Sequence, residues 1–155
     1  MKAMRERRTA RECALGLVEC CDRTEKEIRQ KLKDREYVPD EIDEAVVFLK
    51  EYHYVDDAEY ARRYIHICSS KKSMRQIRAA LERKGVDRNL IAEGLEEEPV
   101  DEEAQVRRLL LKKGYQPGQR MEADCYRKLT GALCRKGFSY DTIRRVTDQM
   151  CEEES

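Results

Sequence analysis

The sequence predicts an all-α fold, an elongated tandem array of three three-helix repeats, and three observations carry that prediction. The stretch Ser73 to Leu95, SMRQIRAALERKGVDRNLIAEGL, spells out a complete helix, turn and helix. The same grammar recurs on both sides, with Leu32, Leu81 and Leu133 standing 49 and 52 residues apart (81 − 32 and 133 − 81), a period typical of repeat architectures. No segment alternates as a strand does, and Pro39, Pro99 and Pro117 all fall at helix boundaries.

In the central copy, Ser73 and Gln76 form a capping box, so a helix starts there. Ile77 and Leu81 share one face, and Gly85 supplies the left-handed stop after Lys84. Asp87 caps the next helix, while Val86 before it and Ile91 inside it have the spacing of a hydrophobic staple. The apolar path Ile77, Leu81, Val86, Ile91, Leu95 is thus a template.

The first copy repeats it without a gap as Ile28, Leu32, Tyr37, Ile42 and Val46, with Thr24 and Glu27 as its box. Glu36 replaces the glycine stop, and Val38 followed by Pro39 replaces the aspartate cap. The third copy has Leu129, Leu133, Phe138 and Ile143, then Val146 one place short, with Gly137 as stop and Ser139 as cap; its first cap is lost. Each pair is preceded by a lead helix. Ala10 onward carries Cys13, Ala14, Leu17, Val18 and Cys21; Asp56 and Glu59 cap a helix carrying Tyr60, Ala61, Tyr64, Ile65 and Cys68. Asp101 to Lys113 forms the third, with Ala104, Val106, Leu109 and Leu110 as its expected buried face and Gly114 as its stop. An exposed turn follows in GYQPGQRME.

The expected organisation is a basic N-terminal tail at 1–9, repeats at 10–55, 56–98 and 99–151, and an acidic, solvated tail at 152–155. The core should be thin, since 40% of residues are hydrophobic and there are two Phe and no Trp. No apolar run approaches a bilayer-spanning length, and MKAMRERRTA lacks the apolar segment of a secretory signal, so a cytoplasmic location is expected. Seven cysteines with no C-x-x-C pair are expected to be reduced thiols. His53 and His66 have no ligand spacing that completes a metal site with them, and Asp56 and Asp57 have no acidic or histidine cluster beside them. No Walker loop, G-x-G-x-x-G, G-x-S-x-G or H-E-x-x-H occurs, so neither an enzyme nor a cofactor is expected.

The remaining information lies in charge placement. Charged residues make up 41% of the chain, yet 32 basic balance 32 acidic ones. Locally they do not cancel. From Arg62 to Lys84, the residues Arg62, Arg63, Lys71, Lys72, Arg75, Arg78, Arg83 and Lys84 face Glu82 alone, a charge of 8 − 1 = +7. From Arg107 to Lys136, nine basic residues, among them Arg127, Lys128, Arg135 and Lys136, face Glu122 and Asp124, a charge of 9 − 2 = +7. Arg144 and Arg145 extend the basic surface of the last helix. These positions fit a solvated polar face, or a surface for a phosphate backbone or an acidic protein groove. Sequence-specific base reading is not expected: Arg88 and Asn89 open one second helix, but the counterparts are Pro39 and Asp40, then Tyr140 and Asp141.

Three segments carry a family resemblance: RTEKEIRQKLKDREYVPDEIDEAVVFLKEYHYVDDAEYARRYI, then QIRAALERKGVDRNLIAEGL, then CRKGFSYDTIRRV. The chain resembles the RecX regulatory proteins of bacteria over roughly residues 10 to 150, most specifically at Tyr54, Val55, Asp56, Asp57, Tyr60 and Ala61, at Lys84 and Gly85, and at Lys136, Gly137, Phe138 and Ser139. The resemblance implies a tandem array of three three-helix repeats; separately, a monomer is expected. It further implies binding to RecA protein in the groove of the RecA filament on DNA, where occupancy restrains filament growth, ATP hydrolysis and strand exchange. The contact is expected at Arg62, Arg63, Lys71, Lys72, Arg75, Arg78, Lys84, Arg127, Lys128, Arg135, Lys136, Arg144 and Arg145. Weak direct DNA binding, or a DNA-binding regulator independent of RecA, is the alternative reading, and a helical scaffold for another acidic partner is a third. The chain departs from the family pattern at His53 and Glu36, where glycine is usual, and at Ser73, where glycine is common.

Overall fold

The computed structural model describes residues 7–153. Among the described residues there are nine helices and no strand: α1 (Ala10–Cys20), α2 (Glu25–Asp34), α3 (Pro39–Glu51), α4 (Asp57–Cys68), α5 (Met74–Arg83), α6 (Arg88–Glu97), α7 (Glu102–Lys112), α8 (Ala123–Arg135) and α9 (Tyr140–Glu152). Local chemistry accounts for their ends. Thr24 and Ser73 close capping boxes with Glu27 and Gln76 at 3.2 Å, and Asp56, Asp87, Asp101 and Ser139 each accept a backbone N–H of the helix they precede. A further box, Thr9 with Glu12, opens α1. Val38 caps α3 with no side-chain bond, and Pro39 at its first position needs none of its own. In α8 the lost cap coincides with an earlier start at Ala123, so Cys125, the counterpart of Thr24 and Ser73, lies inside the helix.

The three template turns share one closure. The N–H of Tyr37, Val86 and Phe138 reaches back to the carbonyl of Leu32, Leu81 and Leu133, and the residue before each donates to Lys33, Glu82 and Cys134. This pairing is the Schellman motif, with the apolar residue after the turn set against the leucine. It demands a left-handed residue, which is Gly85 (φ 87°) and Gly137 (φ 98°) in two copies and Glu36 (φ 65°) in the first. His53 (φ 58°) does the same after α3. The two departures from the family glycines therefore keep the turn and accept roughly 1–2 kcal/mol of backbone strain each.

The chain divides into two compact units, one comprising residues up to Arg63 together with Leu81–Ala92, the other Tyr64–Ala80 with residues from Glu93 onward. Unit 1 buries Cys13, Ala14 and Leu17 of α1, Ile28 and Leu32 of α2, and Ile42, Val46 and Leu49 of α3 in one cluster. Unit 2 buries Val106 and Leu110 of α7 with Leu133, Phe138, Ile143, Val146 and Met150. The template residues of the middle repeat, Ile77, Leu81, Val86, Ile91 and Leu95, are buried as well. Fully burying such an aliphatic side chain stabilises by about 1.5–3 kcal/mol. On α7, Ala104 is exposed and Gln105 takes the buried place expected of it. Its amide donates to the carbonyls of Ser69 and Lys72 at 2.7 and 2.9 Å, so the residue closes the loop after α4 as no alanine can.

The ends of the chain also differ from solvated tails where they are described. Arg7 donates to the Arg35 carbonyl and lies 4.3 Å over the Tyr37 ring, while the Tyr37 hydroxyl donates to the Arg8 carbonyl. Glu153 receives a two-pronged ion pair from Arg107, which holds its carboxyl below the usual range. Residues 1–6 and 154–155 of the expected tails lie outside the described residues.

One contact set joins repeat to repeat and occurs twice. In unit 1 the Thr24 hydroxyl donates to the Lys84 carbonyl at 2.5 Å, the Glu25 N–H donates to Asp57 at 2.9 Å, and Lys26 lies over Gly85. In unit 2 the Ser73 hydroxyl donates to the Lys136 carbonyl at 2.7 Å, the Met74 N–H donates to Glu102 at 3.0 Å, and Arg75 lies over Gly137. A cap hydroxyl, the next amide and the next cation thus dock on the lysine-glycine turn and the acidic lead-helix start of the following repeat. The Arg35 carbonyl, which Arg7 takes, is the counterpart of those of Lys84 and Lys136. Thr24 is fully buried, and Thr24→Val is expected to lower unfolding free energy by about 2–3 kcal/mol, as the cap is lost and the half-buried Lys84 carbonyl is left without its donor. Urea unfolding followed by circular dichroism measures it; a change within about 0.5 kcal/mol, the range of an ordinary surface substitution, would show that the hydroxyl carries no such duty.

Candidate functional site

The junction in unit 2 gathers several of the predicted cations. Ser73 fixes the start of α5, so the Arg75 stem crosses Gly137 beside the Arg135–Lys136 turn, while Arg78 stands one turn further along on the exposed side. Ile77 and Leu81 face inward, which leaves Arg75 and Arg78 facing solvent. The preceding loop, Ser69 to Lys72, is pinned by Gln105 and by Arg108, which donates to the Ser70 carbonyl at 2.8 Å. Lys71 is therefore presented on a held loop, and the Lys72 ammonium is drawn to the Tyr64 hydroxyl at 2.9 Å.

Ion pairing sorts the predicted residues. In unit 1, Arg62 meets Glu59 at 2.9 Å, Arg63 meets Asp22 at 2.7 Å, and the Lys84 ammonium lies 5.9 Å over the Tyr60 ring. In unit 2, Arg145 meets Glu103 at 2.6 Å, whereas Arg127 and Arg144 reach Asp124 and Asp148 only at 3.9 Å. Lys71, Arg75, Arg78, Lys128, Arg135 and Lys136 are exposed and form no ion pair among the described residues. Their charge is not offset by a close carboxylate, which is what an anionic ligand needs.

Carboxylates of unit 1 are held by their own cations. Burial pushes the Glu25 carboxyl up, but Lys50 at 2.9 Å and Arg29 at 3.2 Å outweigh it and hold the group below its usual range. Arg29 also binds Asp43 at 2.6 Å. Burial raises Asp57, and the Glu25 N–H it accepts offsets this only in part. These groups tie α2, α3 and α4 of unit 1 together. Among the described residues, no group of three or more His, Cys, Asp or Glu side chains could hold a metal, all seven cysteines are free thiols, and no helix is long and apolar enough to cross a membrane.

Comparison with known proteins matches this architecture. The family models for the first, second and third three-helix domains of RecX match residues 10–49, 56–95 and 101–147. The regulatory protein RecX of Clostridium botulinum (strain Eklund 17B, type B) is 33% identical over 142 residues, covering 90% of this chain and 67% of its own. That of Clostridium perfringens (strain 13, type A) is 34% identical over 142 residues, covering 87% and 67%. Among solved structures, RecX from Lactobacillus salivarius superposes with a TM-score of 0.75 at 24% identity over 91% of this chain and 94% of that one. A second, described as regulatory protein RecX, reaches 0.78 at 25% identity over 90% and 71%. With all three domain models matched in order and relatives a third identical across most of their length, the chain belongs to the RecX family of regulatory proteins.

Proposed function

We propose that this protein binds the RecA filament on DNA and restrains its growth, ATP hydrolysis and strand exchange, acting in the cytoplasm by occupancy and without chemistry of its own. Membership of the RecX family supports the regulatory role, and the observation that carries the contact is the set of cations left without an ion partner around α5 and α8: Lys71, Arg75, Arg78, Lys128, Arg135 and Lys136. Arg127 and Arg144, held only at 3.9 Å by their carboxylates, add to it. Arg62, Arg63, Lys84 and Arg145 are engaged within the fold and are secondary contributors. Lysine and arginine held on helices suit a polyanionic assembly in which acidic protein surface and phosphate backbone lie close together.

Titrating the protein into RecA turning over ATP on single-stranded DNA tests the reading. ATP hydrolysis is expected to fall as the protein approaches stoichiometry with RecA, and unchanged hydrolysis across all ratios would contradict it.

A further inference from the structure

On the outer side of α8 and α9, a hollow of about 740 Å³ opens between Tyr126, Arg127, Tyr140 and Arg144, with Arg120 at its edge. In the register that pairs Leu32 with Leu133 and Ile42 with Ile143, those four walls are the counterparts of Glu25, Lys26, Pro39 and Asp43. The latter line a hollow of about 690 Å³ in unit 1, where Asp57 and Gly85 of the following repeat form part of the wall. The third repeat thus carries the face on which a successor repeat would dock.

Its chemistry has changed. In the first repeat Arg29 and Asp43 neutralise each other at 2.6 Å, whereas their counterparts are Thr130 and Arg144, so the acid has become a base. Arg127 and Arg144 are 81% and 67% exposed, and their nearest carboxylates, Asp124 and Asp148, stand at 3.9 Å. The Tyr126 N–H donates within α8 to the Glu122 carbonyl, whereas its counterparts at Glu25 and Met74 donate to the carboxylates of Asp57 and Glu102.

We propose that this hollow docks an acidic helix start from a partner protein, received as Asp57 and Glu102 are received at the two internal junctions. Three arginines outnumber Asp148, the one carboxylate in the lining, and so match a carboxylate-bearing first turn in charge, while at the two internal junctions the N–H groups of Glu25 and Met74 each donate to the carboxylate of such a turn. A second copy of this chain stacked head to tail would bring Arg7, Arg8 and Arg11 against these arginines, and its Arg35 carbonyl is already taken by Arg7. The inference stands apart from the filament reading, because it concerns the isolated chain and needs no RecA.

The test is a nuclear magnetic resonance titration of the full chain with an alanine-based peptide of roughly 15 residues carrying three acidic residues in its first turn. Backbone shifts are expected at Tyr126, Arg127, Tyr140 and Arg144. They should vanish with the peptide whose acids are replaced by amides, and affinity should fall at least tenfold in Arg127→Glu with Arg144→Glu at unchanged helicity. No shift at this face, or equal shifts with the amide peptide, would overturn the proposal. So would tighter binding of an oligothymidylate at the same residues, or concentration-dependent self-association through them in sedimentation.

Discussion

Gly85→Ala and Gly137→Ala are each expected to lower stability by roughly 3 kcal/mol, against about 1 kcal/mol for Gly114→Ala. All three glycines have the left-handed backbone, at φ 87°, 98° and 93°, so the strain of adding a side chain is shared. The surroundings are not. A Cβ on Gly85 would lie 2.4 Å from Cβ of Lys26, and one on Gly137 would lie 2.6 Å from Oγ of Ser73 and 3.0 Å from Cβ of Arg75, whereas one on Gly114 meets nothing within 4 Å. Neither Cβ nor a cap hydroxyl bonded to the Lys136 carbonyl can swing aside as the end of a long side chain would, so the junction itself must open. Urea midpoints for the three variants separate the two contributions. Equal losses would mean that the lysine-glycine turns serve only to end helices and that repeats do not dock on them.

Arg75→Glu combined with Arg78→Glu is expected to weaken binding to RecA-coated DNA at least tenfold while leaving helicity unchanged. Each reversal removes one favourable charge and adds a repulsive one, and a tenfold loss corresponds to about 1.4 kcal/mol. Both side chains face solvent on a helix whose inward face is Ile77 and Leu81, so the fold does not depend on their charge. Arg62→Glu is the informative companion: Arg62 is paired with Glu59 at 2.9 Å and should matter less. Equal effects at both places would relocate the contact toward α4.

Much of the fold is written in short range along the chain. Capping boxes at Thr24 and Ser73, the turn glycines and the apolar path are relations within a few residues, and the helices follow them. The box at Thr9 and Glu12 obeys the same rule but sits beside a basic stretch that reads as a tail. The junctions are different in kind. Thr24 meets Lys84 across 60 positions and Ser73 meets Lys136 across 63, and nothing local in either segment announces the other. Gln105 is unexpected inside for the same reason, since the carbonyls that accept its amide lie more than 30 positions away. The site is legible as charge but not as availability: the window from Arg62 to Lys84 reads as uniformly basic, yet Arg63 is offset by Asp22, 41 positions upstream, while Arg75 and Arg78 are not offset.

The most direct test compares binding of this protein to RecA-coated single-stranded DNA and to the same DNA bare, at one salt concentration. On the proposed function, the exposed cations should favour the coated strand, with binding that saturates in proportion to RecA. Equal or tighter binding to bare DNA, falling steeply with salt, would contradict that proposal and leave a direct DNA binder in its stead.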